Sequence, residues 1–526
     1  MAVLSRQGPT AFFQVGVSMS GQIIGIDLGT TNSCAAVVED DGNVKVIPYR
    51  GGETTIPSIF AVDDKGNELV GYEAKRQWLL NPKRTVYGAK RLIGRDYQEG
   101  FVKKMGEYFA YDMKPGAGAG VKIELGQGRD FSLNDVSSKI LNVCRTVASD
   151  YLKRPITRAV VTVPAYFNDR QRQSVKEAGD SIGLEVVRII NEPTAAAMAY
   201  GIRRNLNQTV AIYDLGGGTF DMSVIDIRGR TFEVRATGGD IFLGGIDWDN
   251  ALIHYVIDDF KAKHGIDLSG DPIAMQRIKD LAERTKIDLS SRTEAPFSIP
   301  FVTMTPEGTP LDINLVVSRK LYEDITAPLV KRTIEIAEMV IKDSGIQVHQ
   351  LDEVLLVGGQ TRWPAVQRAV LELFGKPPAK SVHPDEAVAV GAALYAHSLE
   401  TDVQEHKVQL LDVIPMAIGI ERADGDLHEI FKRNASVPNQ KSMVFTTSYD
   451  DQSELTMRIY QGDQKEARKN ELLGEFEFSG IRRGPKGSVR VEVVFDCSVE
   501  GILTMSARDK DTNKEMKTTV KVRGAA

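Results

Sequence analysis

Cysteine is scarce in this chain, with three residues among 526, far apart and without a C-x-x-C pair. An odd, scattered set argues against a disulfide framework and fits a reducing compartment, so we expect a cytoplasmic protein. The chain also lacks an apolar run of the roughly 18 to 20 residues that a membrane span needs, and we expect no membrane partner. The 65 basic and 71 acidic side chains nearly balance. This balance argues against a nucleic-acid partner, because phosphate backbones call for a basic excess.

The chain is long enough for three or four domains at one per ~150 residues. Residues 1–20 contain one arginine and no small-residue cleavage site, so we interpret them as a disordered extension, or as residues before a true start at Met19. Alternating β-type and helical patterns run to about residue 398 and favour a layered α/β architecture. Beyond residue 415, alternating strands separated by Asp, Gly and Asn turns are typical of a β-sandwich.

The most informative feature is an internal repeat. Residues 22–39 (QIIGIDLGTTNSCAAVVE) and 209–227 (TVAIYDLGGGTFDMSVIDI) each contain an apolar run, Asp-Leu-Gly, a Gly/Thr turn and a second apolar run. The repeat predicts two similar α/β lobes whose turns close on one ligand from both sides. Two unrelated hairpins are the alternative.

These two turns have the chemistry of a polyphosphate site, although a Walker A loop is absent. Glycines let backbone N–H groups approach phosphates, and threonine hydroxyls add further donors. Asp27 and Asp214 lie at the mouths of the turns and are the hard oxygen ligands that Mg²⁺ uses, here through retained water. The predicted phosphate-binding residues are Gly29, Thr30, Thr31, Asn32, Gly216, Gly217, Gly218 and Thr219.

Seven strings in this chain resemble the ATPase domain of the seventy-kilodalton heat-shock chaperones of the bacterial DnaK type: IIGIDLGTTNSCAAV, KRLIGR, VTVPAYFNDRQRQSVKEAG, RIINEPTAAAMAYG, YDLGGGTFDMSV, LVGGQTRWP and HPDEAVAVGAA. The resemblance covers residues 22–524. It implies an actin-like, two-lobed ATPase with duplicated ribonuclease-H-like cores, followed by a β-sandwich that binds extended hydrophobic peptides. We expect the ATPase domain at 21–402, a linker at 403–414 and the β-sandwich at 415–526.

By position, the resemblance makes Asp27 and Asp214 ligands of a magnesium shell that accompanies ATP or ADP. It implies that Lys90 reaches the γ-phosphate and the attacking water, that Thr219 belongs to the catalytic set, and that Glu192 couples the nucleotide to the lobe interface. Without the motif around it, Lys90 would be interpreted as a solvated surface lysine. The residues implied for ribose and base are Glu283, Lys286, Ser290, Gly358, Gly359, Arg362 and Asp385. The first three share one helix face, which more often is only a solvated face.

The resemblance also implies an allosteric path. Pro164 and Arg172 match a proline switch and an arginine relay, whereas alone they would be a strand terminator and an exposed helix residue. An apolar linker strip should dock, or else simply begin the first β-strand; its members are Val408, Leu410, Leu411 and Asp412. Gln409 stands where the family usually has leucine, which predicts weaker docking. The J-domain contacts implied are Arg188, Asn191 and Asp412.

In the β-domain, the resemblance implies a peptide cleft with apolar walls formed by Ile418, Ile420, Phe445, Leu455 and Met457. Any β-sandwich would bury such residues in its core, which is the alternative for each one. Two small residues, Ala423 and Ser448, match the arch over the peptide. Family members usually continue into a helical lid, and this chain ends at Ala526, so we expect rapid peptide exchange.

These features predict a monomeric ATPase that works as an ATP-dependent molecular chaperone. The partners implied are unfolded or nascent polypeptides, a J-domain co-chaperone and a nucleotide-exchange factor. A lidless holdase or regulatory binding module with an uncoupled ATPase is the nearest alternative. An actin-like filament protein, or a sugar or acetate kinase with a small-molecule acceptor, would use the same lobes.

Overall fold

The computed structural model describes residues 22–521, apart from residues 107, 118, 119, 127, 203, 205 and 380–382. The predicted extension at 1–20 lies outside the described residues. Helices and strands are mixed up to residue 400, and strands dominate after residue 409, so the α/β content has the predicted distribution. Among the described residues, no helix is both long and apolar enough to cross a membrane.

The first part of the chain builds a six-stranded sheet and two small sheets. Its elements are β1 (Ile23–Asp27), β2 (Asn32–Val38), β3 (Val44–Val46), β4 (Thr55–Pro57), β5 (Phe60–Val62), β6 (Glu68–Val70), α1 (Tyr72–Gln77), β7 (Thr85–Val86), α2 (Gly100–Gly106), β8 (Asp112–Pro115), β9 (Val121–Glu124), β10 (Asp130–Ser132), α3 (Leu133–Leu152), β11 (Arg158–Val163), α4 (Asp169–Asp180), β12 (Glu185–Asn191) and α5 (Glu192–Gly201). The large sheet has the order β12-β11-β1-β2-β3, with β4 paired to β2. Near-continuous apolar runs in β1 and β11 suit parallel strands that are buried on both faces.

The second part repeats this hairpin arrangement. Its elements are β13 (Asn207–Leu215), β14 (Phe220–Arg228), β15 (Thr231–Asp240), α6 (Gly245–His264), α7 (Pro272–Ser291), β16 (Glu294–Met304), β17 (Pro310–Ser318), α8 (Arg319–Ser344), β18 (Glu353–Val357), α9 (Pro364–Phe374) and α10 (Ala387–Glu400). β13 pairs antiparallel with β14 and parallel with β18, just as β1 pairs antiparallel with β2 and parallel with β11. The predicted duplication of the strand-turn-strand unit is therefore confirmed.

Two helices hold the repeated hairpins against each other. A Cβ added at Gly391 of α10 would lie 1.7 Å from the Ala195 carbonyl oxygen of α5, and one added at Gly25 of β1 would lie 2.2 Å from the Ala393 nitrogen of α10. Backbones can approach this closely only where no side chain intervenes. This packing places the turn after β1 and the turn after β13 on one cavity, described below.

The last part of the chain consists almost entirely of strands. They are β19 (Gln409–Val413), β20 (Ile418–Glu421), β21 (Leu427–Phe431), β22 (Ser436–Val437), β23 (Asn439–Thr446), β24 (Glu454–Gln461), β25 (Glu471–Ser479), β26 (Arg490–Cys497), β27 (Leu503–Asp509) and β28 (Lys517–Lys521). One sheet has the order β21-β20-β24-β25-β28 and the other the order β23-β26-β27. Ile418, Ile459 and Val493 belong to one buried cluster that draws on both sheets.

The predicted linker contributes a strand to the second large sheet. β19 pairs in parallel with β15, with Leu410 opposite Phe232, and antiparallel with β22. Val408 and Leu410 pack against the apolar cluster beneath this sheet. Gln409 is exposed, and its amide nitrogen donates to the Arg230 carbonyl at 3.0 Å. The Gln409 side chain lies on the solvent side of β19, and weaker docking through Gln409 stays a prediction.

Further contacts join the β-rich part to the first sheet. Arg95 donates to Glu471 at 2.8 Å, and the Ile189 amide donates to Glu500 at 3.0 Å. Lys176 also pairs with Glu500. Burial raises the pKa of Glu471, which shows that this carboxyl lies inside the contact.

Candidate active site

The two Asp-Gly turns face each other across a cavity of about 260 Å³. A Cβ added at Gly217 would lie 1.9 Å from Thr31 Oγ1, and one added at Gly218 would lie 2.4 Å from Thr30 Cγ2. Any larger residue would push the turns apart. The residues predicted for phosphate binding all line this cavity: Gly29, Thr30, Thr31, Asn32, Gly216, Gly217, Gly218 and Thr219.

The second turn is supported from behind by a helix. The Gly216 amide donates to the Thr219 carbonyl at 3.0 Å, which closes the turn. The Gly245 and Ile246 amides at the start of α6 donate to the Gly216 and Gly217 carbonyls at 3.0 and 2.8 Å. These bonds fix the turn at the N-terminus of a long helix, where the helix dipole favours an anion.

Carboxylates crowd the same cavity. Burial, followed by the charge of Glu192, raises the pKa of Asp27 to about 7 and that of Asp214 well above its usual value. The donor set fits Mg²⁺, because a hard cation would relieve this repulsion. Within the described residues, no group of three or more His, Cys, Asp or Glu side chains is spaced to hold a metal ion.

Lys90 forms a buried ion pair at the edge of this cluster. Its Nζ donates to Glu192 Oε1 at 2.6 Å, and the two residues are 7% and 8% exposed. Lys90 is therefore not the solvated surface lysine that its position alone would suggest. Lys90 thereby offsets the negative charge of Glu192 at the acidic end of the cavity.

A second cavity of about 420 Å³ continues from the first, since Thr30, Thr31 and Asp385 line both. Glu283, Lys286, Ser290 and Arg362, predicted for ribose and base, line this second cavity, and Gly359 lines both. Arg362 pairs with Asp385 at 2.6 Å. Gly358 lines the first cavity at φ +82°, where an added Cβ would lie 2.3 Å from the Leu215 carbonyl oxygen. The structure thus places the predicted phosphate and nucleoside residues around one continuous space.

Sequence reasoning missed Asp221, a buried acid beside Asp214. It is 1% exposed, and its carboxylate accepts from the Tyr166 amide at 3.1 Å. Burial, then the charge of Glu192, raises its pKa to about 8. A signal was available in the repeat: Asp221 faces Asp214 across its hairpin as Cys34 faces Asp27.

Sequence reasoning also missed Arg91, the neighbour of Lys90 in the KRLIGR string. The Arg91 side chain is fully buried and donates from Nε to the Gly218 carbonyl at 2.9 Å and from Nη2 to Asp247 at 2.5 Å. It thereby ties the first part of the chain to the second turn. A second basic residue beside Lys90 was the only sequence signal.

A buried polar chain leads from the first sheet to the linker. Arg172 donates to the carbonyls of Ala165 and Phe167 and, at 2.9 Å, to Asn191 Oδ1. Asn191 Nδ2 donates to Asp412 Oδ2 at 2.9 Å. Arg172 is 4% exposed, so the alternative of an exposed helix residue is excluded. Burial raises the pKa of Asp412.

The remaining residues of the predicted path lie beside this chain. Pro164 follows β11, is buried, and its carbonyl accepts from the Phe167 amide at 3.1 Å. Of the predicted J-domain contacts, Asn191 and Asp412 are buried against each other, whereas Arg188 is half-buried.

The predicted peptide-binding residues divide into two groups. Ile418 and Met457 are buried in the core of the β-rich part, and Ile420, Phe445 and Leu455 pack partly buried against that core. Ala423 and Ser448 are exposed. Ala423 lines a separate, open cavity with charged walls, and none of the other six lines that cavity.

A family model described as Hsp70 protein matches residues 23–525. The match covers both hairpins, the linker and the strands that follow it.

Proposed function

The chain belongs to the Hsp70 family, and we propose that it is an ATP-dependent chaperone whose nucleotide site controls a peptide-binding β-sandwich. Members of this family are chaperones with ATPase activity that bind ATP or ADP with magnesium. The observation that carries the proposal is the pair of facing turns, where Gly217 and Gly218 meet Thr31 and Thr30. Such a cradle suits a polyphosphate chain and little else.

In this proposal, the residues of the cavity position the phosphates and manage charge. Mg²⁺, held through Asp27 and Asp214, would neutralise charge on the β- and γ-phosphates. Backbone amides of both turns donate to phosphate oxygens, and Lys90 adds a positive charge beside Glu192.

The coupling path would run through adjacent residues. Glu192 lines the phosphate cavity, and its neighbour Asn191 bonds to Asp412 in the linker. A nucleotide that shifts Glu192 would therefore alter linker docking, and docking would alter nucleotide affinity by the same factor. We place the ATPase domain at 21–402, the linker at 403–414 and the β-sandwich at 415–526.

Partners follow from the same arrangement. The cleft residues around Phe445 would bind extended hydrophobic segments of unfolded or nascent polypeptides. A J-domain co-chaperone would reach Arg188 first, and would reach Asn191 and Asp412 only when the linker moves, because both are buried here. A nucleotide-exchange factor would complete the cycle. A kinase or filament protein would have no need of the linker strand β19 or of the strands beyond it.

Single-turnover ATP hydrolysis, with and without an extended hydrophobic peptide, tests this function. We expect the peptide and a J-domain partner to accelerate wild-type hydrolysis. Thr219→Ala should abolish hydrolysis but still bind ATP, and Phe445→Ala should hydrolyse ATP at the basal rate but lose stimulation by peptide. Peptide binding without any change in rate would support the uncoupled holdase instead. Nucleotide-dependent sedimentation would support the filament protein, and hydrolysis that requires a small-molecule acceptor would support the kinase.

A further inference from the structure

The second cavity contains an ion pair between Lys286, which is a predicted nucleoside contact, and Asp249, which is not among the predicted site residues. Lys286 Nζ, on α7, donates to Asp249 Oδ2 at 2.8 Å and to the Gly245 carbonyl at 3.1 Å, both on α6. The side chains of Lys286 and Asp249 are only 13% and 16% exposed. Both residues line the cavity. Lys286 is therefore held in one orientation by two acceptors on the neighbouring helix.

Asp249 has few other partners. Its second oxygen, Oδ1, is buried and has no hydrogen-bond partner among the described residues, and the same is true of the Tyr322 hydroxyl on α8. Burial raises the pKa of Asp249 to about 6; Lys286 on α7 opposes this shift, whereas Glu283 on α7 and Asp247 on α6 add to it. Burial, and then the charge of Asp249, raises the pKa of Tyr322. Among the described residues, Lys286 is the one cationic side chain that pairs with Asp249, whereas Asp247 pairs with Arg91.

We propose that Asp249 is a positioning residue for the nucleoside, because it fixes Lys286 Nζ where a ribose hydroxyl or a purine nitrogen can accept its hydrogen bond. An ammonium group has three donors. Asp249 and Gly245 take two of them, which leaves one for a ligand in the cavity. A free lysine side chain would lose rotamer entropy when it is ordered, and the contact with Asp249 meets that cost before a ligand binds.

The proposal rests on the proposed function, since it takes the ligand to be a nucleotide. In this proposal, Asp249 also neutralises the positive charge of Lys286. Lys286 would then act on the nucleoside through a hydrogen bond and not on the phosphates through its charge. A positioning role therefore predicts the same loss of affinity for adenosine and for ADP.

Calorimetric titration of the full chain with adenosine and with MgADP tests this inference. We expect Asp249→Asn to weaken both ligands by a similar factor, on the order of 10-fold, because a charged hydrogen bond is replaced by a neutral one. The matched control is Asp259→Asn on the same helix, where Asp259 pairs with Lys263 at the surface at 2.7 Å. The control should bind both ligands within twofold of the wild type.

A pH series on the wild type provides a second readout that needs no variant. Adenosine affinity should fall as the pH is lowered from 7.5 to 5.5, because Asp249 protonates and no longer holds Lys286 as a charged acceptor. In Asp249→Asn the profile should be flat. The inference would be overturned if Asp249→Asn bound both ligands with wild-type affinity, or if it bound ADP more tightly and adenosine unchanged. A wild-type adenosine affinity that does not change with pH would also overturn it. A wild type that binds neither ligand at any pH would instead refute the proposed function.

Discussion

Replacing Asn191 with alanine should release the linker from the ATPase domain. Asn191 is the only residue in the buried polar chain that bonds both to Arg172 and to Asp412, at 2.9 Å each. Arg172 keeps its two bonds to backbone carbonyls in the variant, and Asp412 keeps its bond from the Val413 amide. The variant therefore loses two bonds, one to Arg172 and one to Asp412, and the bond to Asp412 joins the linker to the first sheet.

The magnitude follows from the charge and burial of Asp412. A hydrogen bond to a charged group contributes about 1.5 to 3 kcal/mol, and its loss leaves a buried carboxylate less well solvated. This corresponds to a shift of about 10- to 150-fold in the docking equilibrium. β19 retains its pairing with β15 in the docked form, so the variant should fold normally and differ only in how often the linker opens.

Amide hydrogen exchange measures this opening directly. With a non-hydrolysable ATP analogue bound, exchange at residues 409–411 should accelerate by about 10- to 150-fold in Asn191→Ala, because these amides exchange only when β19 leaves the sheet. Asn134→Ala, which removes a surface contact with Glu177, is the matched control. Linker exchange within twofold of the wild type, in a variant of normal thermal stability, would refute this reasoning.

Two further predictions concern buried charges. Lys90→Met should lower the free energy of unfolding, measured in urea, by about 3 kcal/mol, because it leaves Glu192 as an unpaired buried carboxylate. The double variant Lys90→Met/Glu192→Gln should recover most of this loss. Equal stability of the single and double variants would contradict the prediction. Burial against the β-rich part raises the pKa of Asp169 to about 6, and its carboxylate accepts from the Leu503 amide. The docked form therefore binds a proton more tightly than a form in which Asp169 is exposed, so docking should strengthen as the pH falls from 7 to 5, as seen by interdomain fluorescence transfer. Asp169→Asn should weaken this dependence without abolishing it, because burial also raises the pKa values of Asp412 and Glu471.

Local patterns were sufficient to predict the two hairpins and the cavity that their turns share. Asp-Leu-Gly followed by a Gly/Thr turn is a short-range sequence signal, and its repetition by itself predicts that the two turns share a cavity. The i, i+3, i+7 spacing of Glu283, Lys286 and Ser290 likewise predicts that they share one helix face. Only the resemblance to a known family implies that this face contacts a ligand.

The sequence alone does not predict which polar side chains are buried by contacts between distant parts of the chain. Arg172 lies on a polar helix segment that would be exposed on an isolated helix, and it is buried here with its guanidinium bonded to Ala165, Phe167 and Asn191. Asp221 follows a glycine turn, and nothing local distinguishes it from a surface acid. In the β-rich part, Ile418 and Met457 suit a core as well as a cleft, because alternation identifies the buried face of a strand and not what covers it.

The central claim is that the two turns hold one magnesium nucleotide between them, and calorimetric titration of Gly217→Ala with MgADP tests it most directly. The added Cβ would lie 1.9 Å from Thr31 Oγ1, whereas the same change at Gly270 would meet no atom within 4 Å. We expect Gly217→Ala to bind MgADP about 100-fold more weakly, as two charge-assisted bonds to phosphate are lost, and Gly270→Ala to bind like the wild type. Wild-type affinity in a folded Gly217→Ala variant would contradict the claim.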